Sequence, residues 1–127
     1  MDIGRLEHAN VTVSDLDRTA KMLCDVFGWH IRWRGDSKMS GLSVHVGNED
    51  TYLALYRQEP NGRTGEDTYS TVGGLNHLAV VVDDIEATKA RVVAAGYEPG
   101  EHYDYEPGER FYFDDHDGIE FEVVSYA

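Results

Sequence analysis

The chain has a single cysteine, Cys24, among its 127 residues, so no intramolecular disulfide can staple it. Cys24 falls inside an amphipathic stretch, where a buried, inert thiol is expected. No apolar run approaches the roughly 18 residues that a membrane span needs. The opening Met1-Asp2-Ile3-Gly4 lacks the basic and apolar regions of a signal peptide, which makes a reducing, cytoplasmic location the expectation. Positive charge is scarce: 11 Lys and Arg stand against 24 Asp and Glu, a net charge of −13. A groove that tracks phosphates needs clustered basic side chains, so neither nucleic acid nor an anionic membrane is an expected partner. The acidic excess keeps a small domain in solution and selects no function. With 41% hydrophobic residues, the chain is a globular domain or two half-domains.

What is present is an internal repeat. The segment from Gly4 to Leu16 resembles that from Gly73 to Ile85 at one constant spacing. Identities fall at Gly4/Gly73, Leu6/Leu75, His8/His77, Val11/Val80, Val13/Val82 and Asp15/Asp84, and again at Thr19/Thr88. Two copies are too few for a solenoid, so the halves pack on each other or on another chain.

Each half reads β-α-β-β-β, an α+β class. In the first, a β-branched strand Leu6–Val13 leads to Ser14 or Asp15 as N-cap and a helix ending near Phe27. Its apolar stripe is Leu16, Ala20, Leu23 and Phe27, and Gly28 supplies the left-handed C-terminal residue. Strands Trp29–Arg34, Gly41–Val46 and Thr51–Arg57 follow, with a turn through Gly35-Asp36-Ser37. The second half offers Asn76–Val82, a helix Ile85–Ala95, Gly96, a strand near Tyr97, then Arg110–Phe113, a turn at Asp115–Gly118, and Ile119–Ser125. The modules therefore span 1–57 and 75–127, with an unpatterned linker at 58–74.

Side chains on a strand alternate between faces. One face carries Val11, Val13, Leu42, Val44, Val46, Leu53, Leu55, Phe111, Phe113, Ile119, Phe121 and Val123 for the helices to cover. The other carries His8, Asn10, His45, Tyr52, Ala54, Tyr56, His77, Arg110, Tyr112, Glu120 and Glu122. A merely solvated face would hold lysine, and this one has none. It reads as a concave sheet lining a cavity. Two imidazoles and a carboxylate from three strands, His8, His77 and Glu122, form a ligand set for one divalent metal with open positions, suited to Fe, Mn, Zn or Ni. Asn10, Tyr52 and Arg110 are candidate substrate contacts, Tyr112 a hydrogen-bond donor, and His45 or His102 a proton carrier. His30 and His116 read as solvated surface residues.

The Leu-x-His-x-x-Val-x-Val-x-Asp-Leu/Ile openings and the Asp-x-Asp-Gly-x-x-x-Glu ending resemble the vicinal oxygen chelate superfamily over nearly the whole chain. That superfamily includes glyoxalase I, extradiol dioxygenases, fosfomycin-resistance transferases and metal-free bleomycin-resistance proteins. The resemblance implies paired βαβββ modules forming a curved sheet cup, a metal held by His8, His77 and Glu122, and a small substrate that chelates it through adjacent oxygens. Lyase, isomerase and ring-cleaving dioxygenase chemistry all fit. The sequence departs from glyoxalase I at Ala54, where a further ligand is expected. It departs from the extradiol signature at His116, where a proline is usual, and in the spacer after His102. A metal-free binding protein of the bleomycin-resistance type is the alternative reading. Sheets of this length leave edges to cover, and similar short relatives pair modules across chains, so a homodimer is expected.

Overall fold

Two aspartates set the start of each helix. Asp15 accepts from the backbone N–H of Arg18, and Asp84 from that of Ala87, satisfying donors that a helix start leaves free. They are the Asp pair of the repeat. Thr88, the next repeated residue, is fully buried and turns its hydroxyl back to the Asp84 carbonyl. The repeat thus preserves caps as well as core.

A computed structural model describes residues 2–37, 41–63, 65 and 67–127. The chain divides into two compact units, Met1–Arg63 and Thr64–Ala127. The first contains β1 (His8–Thr12), α1 (Leu16–Phe27), β2 (His30–Asp36), β3 (Leu42–Gly47) and β4 (Tyr52–Arg57). Its sheet runs β1-β4-β3-β2, with β1 parallel to β4 and the other pairs antiparallel. The second contains a 3-10 turn (Thr68–Ser70), β5 (Leu78–Val81), α2 (Ile85–Ala94), β6 (His102–Tyr105), β7 (Gly108–Asp114) and β8 (Glu120–Ser125). Its sheet runs β5-β8-β7-β6 in the same sense. Each unit is thus a βαβββ module, as the repeat predicts.

In the first unit α1 buries Leu16, Ala20, Met22, Leu23 and Val26, and the strands contribute Val44, Val46, Leu53 and Leu55. In the second, Ile85 and Val92 of α2 and Phe111, Phe113, Phe121 and Val123 of the strands form the core. Both helices end at a glycine with positive φ, Gly28 at 71° and Gly96 at 94°, as left-handed termination requires. Cys24 is half-buried, and burial pushes its thiol pKa up, which keeps it protonated.

Four expectations change. The strand expected near Tyr97 forms instead at His102–Tyr105, because Pro99 has no N–H to give a ladder. Leu42, expected in the core, is 46% exposed, at the end of β3 opposite Arg57. His116, expected in solvent, has a side chain only 6% exposed and shares a 2.6 Å hydrogen bond with the Tyr97 hydroxyl. The turn placed at Gly35–Ser37 gives way to a strand through Asp36, and residues 38–40 lie outside the described ones.

The repeated caps yield a stability test. Asp84→Ala removes the acceptor for the Ala87 N–H and should cost about 1 kcal/mol in chemical denaturation, while Asp84→Asn should retain most of it. Equal losses in both variants would show that the cap is not the cause.

Candidate functional site

Strand β8 runs between β5 and β7, so its outward side chains meet neighbours from both sides. Register places Glu122 opposite Tyr112 on β7 and Ala79 on β5. His77, two residues before Ala79, therefore falls on the same face as Glu122. Its Nε2 lies 3.1 Å from Glu122 Oε1, and Arg110 donates from Nη1 to Glu122 Oε2 at 3.1 Å. The Glu122 side chain is only 9% exposed. A guanidinium and an imidazole thus hold a nearly buried carboxylate, one at each oxygen. The Tyr112 hydroxyl also hydrogen-bonds Glu122, and its ring meets His77 edge-on with centroids 5.7 Å apart.

The other nitrogen of His77 has its own environment. Tyr69, on the 3-10 turn, donates to Glu120 Oε1 at 2.8 Å, and its hydroxyl oxygen lies 3.3 Å from His77 Nδ1. Asp67 caps that turn by accepting from the Tyr69 N–H and the Ser70 hydroxyl. A side chain at Gly74 would run into the Thr68 carbonyl, so glycine is needed there. These contacts belong to the stretch expected as an unpatterned linker.

Glu120 pushes Tyr69 up to about 12, with burial adding to the hydrogen bond. Burial, then the charge of Glu122, raises Tyr112. Both phenols therefore remain proton donors at neutral pH. Burial and the nearby Glu120 raise Asp114. An open cavity of about 980 Å³ borders this face, and Tyr69, His77, Tyr112 and Glu120 are among its walls. The Gly100 N–H donates to the Tyr112 carbonyl, bringing the segment before β6 against that wall.

The same face of the first unit is built differently. One ring from each strand forms a row: His8 on Tyr52 at 4.8 Å, Tyr52 on His45 at 4.6 Å, His45 against Trp33 at 4.9 Å. These separations match the spacing of neighbouring strands. Arg32 lies over the Tyr52 ring at 4.4 Å, and Glu7 accepts from the Tyr52 hydroxyl and pairs with His8 Nδ1. Burial, then the charges of His8 and Arg32, lowers His45, leaving it neutral near pH 7. Asn10 is exposed one ladder step along from His8. Ala54, opposite both Asn10 and His45, is buried and offers no donor atom.

The structure thus brings His77, Glu122, Tyr112 and Arg110 together, and His8, Asn10, His45 and Tyr52 together on the sheet face of the first unit. His102 does not join either group. It pairs in register with the core residue Phe111, and hydrogen-bonds Lys89 of α2 at 2.8 Å and Glu109 at 2.9 Å. The sheet separates it from Glu122, so it cannot move a proton there; its place in an acidic loop sequence concealed the strand alternation. Glu86, His102 and Glu109 are spaced as metal ligands would be, but both ring nitrogens of His102 are already engaged, by Lys89 and by Glu109. Arg110 is a partner of Glu122 rather than a free anion anchor, with Nε and Nη2 buried and unpartnered. Tyr69 and Glu120 were missed as site residues. Alternation did place Glu120 on this face, but no periodicity marks Tyr69.

The chain matches the family model for the glyoxalase/bleomycin resistance protein/dioxygenase superfamily over residues 5–123. It is 34% identical over 87 residues to a lactoylglutathione lyase of Oryza sativa subsp. japonica, covering 66% of this chain but only 29% of that protein. It is 30% identical over 99 residues to a probable lactoylglutathione lyase of Vibrio parahaemolyticus, covering 76% of this chain and 70% of the relative. Among solved structures it superposes on a mutant fosfomycin resistance protein of Listeria monocytogenes, complexed with Mn(II) and 1S,2S-dihydroxypropylphosphonic acid. There the TM-score is 0.76 at 21% identity, over 97% of this chain and 93% of the other. By the family match and the fold, this chain belongs to the glyoxalase/bleomycin resistance protein/dioxygenase superfamily.

Proposed function

We propose that this protein is a metal-dependent enzyme acting on a small molecule with two adjacent oxygens, by lyase or isomerase chemistry or by extradiol ring cleavage. One divalent ion, Fe, Mn, Zn or Ni, would be held by His77 and Glu122 together with His8. The observation that carries this reading is the approach of His77 Nε2, on the cavity wall, to Glu122 Oε1 at 3.1 Å. Donors about 2.0–2.2 Å from one ion and at right angles to each other stand about 3 Å apart, so the pair fits a metal without rearrangement. His8 enters by the repeat, since it holds in its sheet the place that precedes β5 in the other. Relatives named lactoylglutathione lyase support enzymatic function of the lyase kind, while Ala54 departs from glyoxalase I.

The ion would supply Lewis-acid stabilisation of the negative charge that develops on the substrate oxygens. Arg110 aims Glu122 by donating to its Oε2. Tyr69 and Glu120 fix the orientation of the His77 ring from its far side, as outer partners of ligating histidines do. Tyr112, protonated at neutral pH, would exchange its hydrogen bond to Glu122 for one to a substrate oxygen. His45, neutral near pH 7, is the candidate proton acceptor, with Asn10 and Tyr52 as substrate contacts on its face. A homodimer is part of the reading: edge strand β2 exposes Ile31 and Trp33 by 45% and 48%, and such edges are normally covered.

Three measurements check this. Protein purified without chelators should carry one divalent metal per chain, and Glu122→Gln, which keeps the shape and removes the charge, should lose most of it. Full occupancy in that variant overturns the ligand assignment, and a wild type free of metal would favour the bleomycin-resistance kind of binding. Tyr112→Phe should change stability by less than about 1.5 kcal/mol while turnover falls at least about tenfold. Unchanged turnover with a large stability loss would make it a packing residue. Sedimentation at micromolar concentration should show a dimer; a lone 14.3 kDa species would refute that.

A further inference from the structure

We propose that the cavity of the second unit selects a small organic cation, an amine or ammonium carried on an aromatic or similarly sized body. This rests on the reading of that cavity as the substrate site and specifies the class of substrate. Its described walls hold four tyrosines and four carboxylates, with His77 as the one basic group and no lysine or arginine.

The tyrosines are arranged as a cage. Tyr103 meets Tyr105 at 80° with centroids 6.0 Å apart, and meets Tyr112 at 81° with centroids 6.2 Å apart. Tyr103 thus stands perpendicular to both neighbours, and such a set presents π faces and edges to one space, the geometry that receives ammonium groups. One of these rings already takes a cation: the Arg110 guanidinium carbon lies 5.7 Å from the Tyr105 centroid. The Tyr103 hydroxyl donates to Glu101 at 2.9 Å, so a carboxylate backs the cage.

The carboxylates carry charge that the protein does not balance. Glu122 has Arg110 and His77, but among the described residues Glu98, Glu101 and Asp114 make no ion pair with Lys, Arg or His. Asp114 on β7 stands opposite Glu120 on β8, so two carboxylates lie side by side where a cation could sit between them. An anion such as the phosphonic acid in the fosfomycin resistance structure would meet four carboxylates here. Each exposed charge contact alters affinity by about fivefold at most. Several contacts plus the rings give a preference of about tenfold or more.

The test uses ligands that share a phenolic ring and differ in the charge of a short side chain. On manganese-loaded protein, calorimetry under anaerobic conditions compares dopamine, 4-methylcatechol and 3,4-dihydroxyphenylacetate, which share the adjacent oxygens. On chelator-treated protein it compares tyramine with 4-hydroxyphenylacetate. Dopamine should bind at least about tenfold tighter than the acid, with methylcatechol between, and tyramine tighter than its acid. The combined Glu98→Gln and Glu101→Gln changes, both at exposed positions, should shrink the preference at least about threefold. Equal binding of the charged pairs, a preference for the acids, or a preference that survives in the double variant overturns the proposal. Cation preference in the metal-free arm, with no gain for catechols on loaded protein, upholds it and sinks the chelating reading alone. Absence of binding by every probe overturns both.

Discussion

A carboxylate with a side chain only 9% exposed is costly unless its charge is met, and the second unit is organised around meeting that of Glu122. Arg110 and His77 approach separate oxygens, and Tyr112 adds a neutral donor. Arg110 must be buried to do this, which leaves two of its own donors without partners. His77 must be held from behind, which brings in Tyr69 and Glu120. Removing Arg110 or Glu122 would leave the other as a nearly buried group without its charged partner, so these residues act as a unit and their individual contributions will not add.

The two modules share a chain path and differ in chemistry. Where the second has Glu122 and Tyr112, the first has Ala54 and His45, and stacking rings replace the charge pair. Backbone pairing and helix caps tolerate this divergence because they use the inward face and the loop residues. The outward face is free to specialise, so one architecture carries a charged wall and an aromatic row.

Much of this was legible in the residues. The period of two along each strand put Tyr112, Glu120 and Glu122 on one face, and the repeat paired His8 with His77. Gly28 and Gly96 marked the helix ends, and Ser14 or Asp15 the start of the first, because capping is a local matter of hydrogen bonds and φ. What was not legible depends on distant partners. Tyr69 joins the site through a turn whose only local sign is Asp67. His102 was misplaced because Pro99 delays β6, so the face of each residue in that segment could not be counted from the helix. His116 drew its partner Tyr97 from across the module.

Each sheet is closed by its last strand. β4 lies between β1 and β3, and β8 between β5 and β7. During synthesis, then, β1 and β5 emerge with no partner and wait until most of their module has been made. The carboxylate of Glu122 arrives on the strand that completes its sheet, so the charged group and its compensating neighbours are assembled in the same late event. An incomplete second module would expose an unpaired β5 and an Arg110 without its carboxylate partner. Such a chain would be left with sticky strand edges for quality control to recognise.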